Sequence, residues 1–593
     1  MADGLSFTNP TLRTNQLEQK DSENGSKLWR EAQLHKRRFE SMLKFTHLGT
    51  TRAGPEPFEM DVQLARTCLR NLYLALLLYE TSLDDKCHVA VLLWNHTTYA
   101  VIAAFQEQLA KLEAEIHNAE TKRHKAPKNQ RRSTKLHGYE HALHQFILFL
   151  RNELLFWQDL ILRVVRVFHW ENIIPLLDSL DLLDADLLRS QNINMAYPHD
   201  LNSCDTLARR SCEPTLSQIS LRLLQRLLMF CGDLERFIEL KTHKPLFLTK
   251  RRSKHSFTIP YDFSCAQKWY RAAQQIPTNC GSPARKLALV AAESGDLFEA
   301  LLLNYRALCS SDPDEKARNQ LQSLLKDVPR SKRDLYPSNM TRSNSAFKSI
   351  SYTQADTVGE KCVMATLVLH SQLIYSENLV DILSSAEEVL EHLNSIREHI
   401  GDGTFSMLDM LLSLICAESL GISICLPAII VQLISWLCMW TKHALEIQNT
   451  QLLVRALPAT RIGLKWLYVN HSKVGICVQA TEHSAQQFHK LDGEGNELQE
   501  ILQSRIIPDY WTSYTGLLGA IPRSLCRTRH QLPEDADLHT IAPLRDALHP
   551  PNDRKSPPDT TSYLEDLLED SHLLKTMRQS SIAPRLHNSR CEC

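Results

Sequence analysis

Between Tyr139 and His169 the apolar residues Leu143, Ile147, Leu150, Leu154, Trp157, Ile161, Val164 and Phe168 recur at strict 4-3 spacing. That 3.5-residue period is the seam of a helix pressed lengthwise against other helices. At 1.5 Å per residue such a helix is ~45 Å long, which only a member of an extended bundle can bury. Phe146, Phe149 and Phe156 lie off the seam and predict contact on a second face. Glycine, at 18 of 593 residues, is too scarce for the turns of a sandwich, a barrel or a Gly-looped nucleotide fold. An all-α fold is expected.

The length exceeds what one core normally organises. With 67 basic and 68 acidic residues and a net charge of -1, no global field draws the chain to nucleic acid or to a membrane. Most of the 16 cysteines sit singly in apolar runs, as Cys68, Cys87, Cys231 and Cys309 do, the usage of reduced thiols inside cells. Residues 1–26 are polar and contain no secretory apolar run; they are expected to be disordered, and the protein cytoplasmic. The basic stretch Lys250–Lys254 resembles a nuclear-localisation patch, which adds shuttling to the nucleus. Gly421–Trp440 is twenty residues without a charge, long enough to span a bilayer. Ser423, Pro427, Gln432 and Ser435 inside it favour a buried helix pair broken at Pro427, so no membrane partner is expected.

Two basic insertions interrupt the helical pattern, near 118–138 and 241–260. The first carries Lys125, Lys128, Arg131 and Arg132, and the second Arg251 and Arg252. Pro127 and the missing apolar periodicity read as solvated loops. The alternative is salt-dependent contact with nucleic-acid phosphates, although only Phe247 and Phe257 offer rings for base stacking. The expected organisation is a helical domain over 27–327, a linker at 328–357, a second helical domain over 358–545 and a mostly disordered tail over 546–593.

No phosphate loop, strand-borne dinucleotide motif, zinc-protease motif or nucleophile elbow is present. None of the 25 histidines pairs with cysteine at a zinc-ligand spacing. His141 and His144 lie at i, i+3 on the long helix without a third ligand nearby and read as an exposed polar edge. No catalytic residue, metal site or cofactor is expected, and the chain reads as a non-enzyme.

The stretch from Cys231 to Leu321 is the most specific. It places Trp269 and Tyr270 before the small pair Ala272 and Ala273, turns at Pro277, Gly281 and Pro283, and continues through Ala300, Tyr305, Ala307 and Leu308. Large and small residues alternating in this way let helices approach closely, as in tetratricopeptide arrays. The same stretch resembles the nonsense-mediated mRNA decay effectors, the family of Smg-five, Smg-six, Smg-seven and the telomerase protein Est-one. LLWNHTTYAVI at 92–102, LPATRIGLKWL at 457–467, DYWTSYTGLLGAI at 509–521 and LPEDADLHTIAPL at 532–544 follow in the family's order.

The resemblance implies a 14-3-3-like helical bundle with tetratricopeptide-like hairpins, followed by a second α-helical hairpin domain. It also implies an adaptor that pairs with a related 14-3-3-like decay factor and links the phosphorylated Upf-one helicase to a protein phosphatase and decay factors. The family's phosphate site maps onto Tyr99, Arg236, Phe237 and Arg285. Arg236 is the retained cation, with a surface pairing to Asp233 at i-3 as the plainer role. Tyr99 stands where the family has Lys, Phe237 where it has Tyr, and Arg285 where it has Asn, a pattern resembling Smg-five. A weak phosphopeptide site follows, strengthened only if Arg285 points inward. The alternative is a telomerase-associated nucleic-acid-binding subunit of the Est-one type, and a third possibility is a helical scaffold alike in architecture alone.

Overall fold

The computed structural model describes residues 26–43, 60–79, 83–121, 129–167, 173–182, 214–242, 261–326, 328, 358–376, 378–398, 406–479 and 505–520. The chain divides into two units, Met1–Thr278 and Asn279–Cys593. The described residues are nearly all helical and contain no strand; one isolated bridge joins Cys280 and Asp312. The N-terminal segment up to 25, the tail over 546–593 and the motif at 532–544 lie outside the described residues.

The first unit contains α1 (26–43), α2 (Met60–Tyr79), α3 (Leu83–Leu93), α4 (Ala100–Thr121), α5 (Asn129–Val167), α6 (Ile174–Ser179), α7 (Pro214–Thr242) and α8 (Ser264–Gln275). Between α3 and α4 the helix does not stop; it widens into a π-helical segment over Trp94–Tyr99. The long helix is confirmed and is longer than its apolar seam, starting at Asn129. The expected solvated loop therefore ends earlier, and Arg131, Arg132 and Lys135 belong to the backbone of the first turns of α5. Gln, Arg and Lys are good helix formers, and a helix already nucleated extends at little cost through such residues without apolar periodicity.

The buried face of α5 is also rotated from the 4-3 seam. Phe146, Phe149, Glu153, Phe156 and Leu160 are buried, whereas Ile147 and Leu154 are partly exposed. The off-seam phenylalanines find the second face they predicted: Phe105 of α4 stacks on Phe146 with centroids 4.9 Å apart. On α7, Phe230 stacks flat on Trp94 at 4.5 Å and meets the edge of Trp157 at 5.0 Å. These rings bury large apolar areas and fix their neighbours by geometry as well as by contact.

The second unit contains α9 (Ser282–Ser294), α10 (Leu297–Leu308), α11 (Lys316–Lys326), α12 (Val358–Tyr375), α13 (Leu379–Glu398), α14 (Met407–Ser419), α15 (Leu426–Glu446), α16 (Thr450–Gln479) and α17 (Ile507–Ala520). One apolar core runs through it from Ala284 to Leu517. The hairpins before 328 therefore share a core with the helices after 358, and the division falls at Thr278–Asn279 rather than at the expected linker. Tyr375 of α12 donates its hydroxyl to the carbonyl of Gln322 on α11 at 2.8 Å, one of the bonds joining the two stretches.

The charge-free stretch from Gly421 is a turn followed by one core helix, α15, rather than a helix pair broken at Pro427. Pro427 occupies the first turn of α15, where its missing N–H costs nothing, and 72% of the most apolar window of that helix is buried. Among the described residues six cysteines are buried as free thiols, at 231, 309, 362, 416, 425 and 438.

Candidate binding sites for phosphate and nucleic acid

The CGDLERF segment lies on α7. Cys231, Asp233 and Leu234 are buried, and Gly232 lies under the ring of Tyr270 from α8, where an added Cβ would stand 2.5 Å from a ring carbon. Tyr270 donates its hydroxyl to Asp233 at 2.6 Å. The glycine that costs helix propensity on α7 thus allows α8 to close on it. Arg236 is half-buried, its guanidinium 4.9 Å from the ring centre of Phe237. Tyr99 ends the π-helical segment and is 44% exposed. These three candidates belong to the first unit.

Arg285 belongs to the second unit, on the first turn of α9. Its Nε donates to Asp314 Oδ2 at 2.6 Å, and Ser282 donates its hydroxyl to the same oxygen at 2.9 Å. Burial would raise the Asp314 carboxyl, but the Arg285 bond and charge hold it below the usual carboxylate range. Just before the helix, the N–H of Gly281 bonds to the carbonyl of Asp312 at 2.9 Å, and a Cβ there would stand 2.1 Å from the carbonyl oxygen of Ala307. Arg285 therefore serves a local clamp that joins the start of α9 to the turn before α11.

Lys125, Lys128, Arg251 and Arg252 lie outside the described residues, and Arg131 and Arg132 are placed only as backbone of α5. From the second basic stretch, Lys241 is described: its ammonium sits 5.7 Å from the ring centre of Phe146. His141 and His144 are exposed on α5. Among the described residues no three His, Cys, Asp or Glu side chains converge as metal ligands.

A buried charged cluster in the first unit escaped the sequence reading. Glu153 of α5 is 1% exposed and is held by Arg66 at 2.9 Å and Arg70 at 2.5 Å, both from α2. Thr98 donates to Glu153 Oε2 at 2.7 Å and accepts the indole N–H of Trp157 at 3.2 Å. Burial opposes ionisation of Glu153, and the two guanidinium groups with Thr98 overcome it, so its carboxyl titrates below the ordinary value. The guanidinium carbons lie over Phe149 at 5.0 Å and Phe156 at 3.8 Å. The π-helical segment matters here, since it turns both Thr97 and Thr98 fully inward. The available signal was a carboxylate beside the apolar seam, between Leu150 and Leu154, with two arginines at i, i+4 in the apolar run of α2. The cluster carries no open coordination position, and its work is to hold α2, α5 and the π-helical segment together.

In the second unit the corresponding network is neutral. His370 of α12 is fully buried between Tyr305 of α10 and Ser413 of α14, at 3.0 Å and 2.9 Å. Burial lowers the imidazole to about 3. The segment LPATRIGLKWL is core almost throughout, with Leu457, Thr460, Arg461, Ile462 and Trp466 fully buried on α16. Its distinctive residues are packing residues.

Two family models match the chain. Residues 88–241 match the one described as telomerase activating protein Est1, and residues 266–548 match the Est1 DNA/RNA binding domain. The described candidate cations Arg131, Arg132 and Arg236 lie within the first match, while Arg285 lies within the second. A solved crystal structure of Est1 and Cdc13 is similar in fold, with a TM-score of 0.54 at 14% identity, covering 91% of this chain and 96% of that one. The finer likeness to Smg-five is not distinguished by these matches. With both domains present in order over most of its length, and an all-α fold similar to that of Est1, the chain belongs to the Est1 family.

Proposed function

We propose that this chain is a non-catalytic, nucleic-acid-binding subunit of the Est1 type, acting with telomerase through RNA or telomeric DNA and through a protein partner. The observation that carries the reading is the match of 266–548 to a DNA/RNA binding domain. The fold likeness to Est1 crystallised with Cdc13 supports a protein partner as well. The chain is nearly neutral, so contact must come from local cations. Among the exposed ones in the second unit are Lys316, Arg318 and Lys326 on α11 and Lys361 on α12.

Fluorescence anisotropy with single-stranded telomeric DNA and with RNA, across a salt series, tests this reading. Binding should weaken with a slope of about -0.7 in log K per phosphate contacted. Lys326→Glu with Lys361→Glu should reduce it on every sequence. Affinity that ignores salt, or no binding at all, rejects the reading.

A second reading draws on the retained Arg236: a nonsense-mediated decay adaptor that pairs with a relative and links phosphorylated Upf-one to a phosphatase. Calorimetry with a phosphoserine peptide and its unphosphorylated twin separates the two. Phosphate-dependent binding lost in Arg236→Glu supports the adaptor, and equal affinity for both peptides removes it.

A further inference from the structure

A cleft of about 620 Å³ opens in the second unit between α13, α15 and α17, within the size range of sites that enclose a ligand group. The apolar part of its lining, taken as its floor, includes Leu390, Trp436, Met439 and Ile506, and the charged part, taken as its rim, carries Glu387, Glu391, Asp509 and Arg505. The floor is fixed before anything binds. The indole N–H of Trp436 donates to Asn394 at 2.7 Å, and its ring stacks on Trp440 with centroids 5.0 Å apart. Ser435 and Ser513 share a hydrogen bond at 3.0 Å that ties α15 to α17. Met439 nevertheless stays 51% exposed, an adaptable apolar surface of the kind that receives side chains of varied shape.

The rim sets the sign of the occupant. Among the described residues the lining holds three carboxylates and one guanidinium, that of Arg505, which sits 3.8 Å from Glu387 with both side chains more than half exposed. An arginine of the chain itself thus already rests against this rim. A nucleic acid would bring phosphates to carboxylates and be repelled, whereas a cationic peptide meets complementary charge above an apolar floor.

The geometry points to this cleft as a docking groove for a short cationic segment of a partner protein. One apolar side chain of the segment lies against Trp436 and Met439, and its neighbouring Lys or Arg reaches Glu387 and Glu391. Those two glutamates lie at i, i+4 on α13, so one peptide strand or helix can address both. The proposal goes beyond nucleic-acid binding and does not depend on it.

A random peptide display library selected on the folded full-length chain tests it, with counter-selection on the Glu387→Lys/Glu391→Lys variant. Enriched peptides should place Lys or Arg beside an apolar anchor. Synthesised and measured by anisotropy, they should lose about tenfold in affinity or more with the double reversal, and again with Met439→Glu. Lys326→Glu/Lys361→Glu should leave them unaffected. Photo-crosslinks from the peptide to the unaltered chain should fall on α13, α15 or α17, a measurement that does not rely on any variant folding. Enrichment of acidic peptides, equal binding to the reversed variant, competition by single-stranded RNA, or crosslinks elsewhere would overturn the proposal.

Discussion

In the first unit a carboxylate is carried into the core between two guanidinium groups, whereas in the second an imidazole is carried in between two hydroxyls. Both networks connect helices far apart in sequence, Arg66 with Glu153 and Tyr305 with His370 with Ser413. Their energetics differ in kind. The ionic cluster depends on Glu153, whose one charge answers two guanidinium groups, because an uncompensated buried charge costs far more than an intact pair contributes. The neutral network tolerates loss of one member at the cost of a hydrogen bond, but it excludes a proton. One network is thus sensitive to deletion and the other to acid.

The sharpest way to break this contrast is Glu153→Gln, which keeps the shape and removes the charge that Arg66 and Arg70 share. It should destabilise the first unit by about 3–5 kcal/mol. Denaturant unfolding followed by hydrogen exchange should show the loss in α2 and α5, with α12 and α14 unaffected. An equal loss in both units would dissolve the contrast.

Next in size is Gly281→Ala. Its Cβ would press on the backbone carbonyl of Ala307, which cannot rotate aside, so a cost near the upper end of the usual ~1–3 kcal/mol for overpacking is expected. Gly232→Ala meets the Tyr270 ring instead and should cost less, because a ring can tilt and alanine regains helix propensity. Thermal melts of the two variants give the order directly.

Acid should separate the two networks in pH. His370 has its folded value lowered to about 3, so the unfolded chain takes up the proton first. Its stabilisation is complete above the ordinary imidazole range and is lost as pH falls below about 6.5, by up to ~1.4 kcal/mol per pH unit. Glu153 is also lowered, and its contribution stays whole above the ordinary carboxylate range and is lost only below it. Hydrogen exchange at pH 7.5 and pH 5 should therefore show the second unit loosening while the α2–α5 cluster holds. His370→Asn should flatten that slope.

The smallest expected difference is between two hydroxyls. Thr98→Val removes a donor to an ionised carboxylate and strands the indole of Trp157, at about 2 kcal/mol, whereas Ser413→Ala removes a neutral partner at about 1 kcal/mol. Equal values from urea titrations would show that charge adds nothing at Thr98.

The sequence made the helices legible because apolar spacing reports which face is buried, and the long α5 and the close pairs around Ala272 and Ala300 stood where that pattern put them. It misjudged the start of α5, since residues 129–138 become helical by extension from a strong neighbour, which no local pattern records. The rotation of α5 was hidden because counting apolar letters leaves out Glu153, the residue at the middle of the buried face. Of the phosphate candidates, Arg236 could be placed on a helix but Arg285 could not be oriented. Its partner Asp314 lies 29 residues away across a hairpin, and pairing over such a distance is set by tertiary packing. Loss of a cation at position 99 was readable as chemistry; the helical phase that puts Tyr99 outward was not.

That phase has a consequence for how relatives are compared. A π-helical turn holds one residue more than an α-helical turn, so across Trp94–Tyr99 the count of letters and the count of turns part by one. Positions upstream and downstream of the segment keep separate calendars. A relative lacking the insertion would, when matched letter for letter from Leu93, present a neighbouring side chain in the direction Tyr99 faces here. Correspondence at this helix is therefore a matter of azimuth before it is a matter of order.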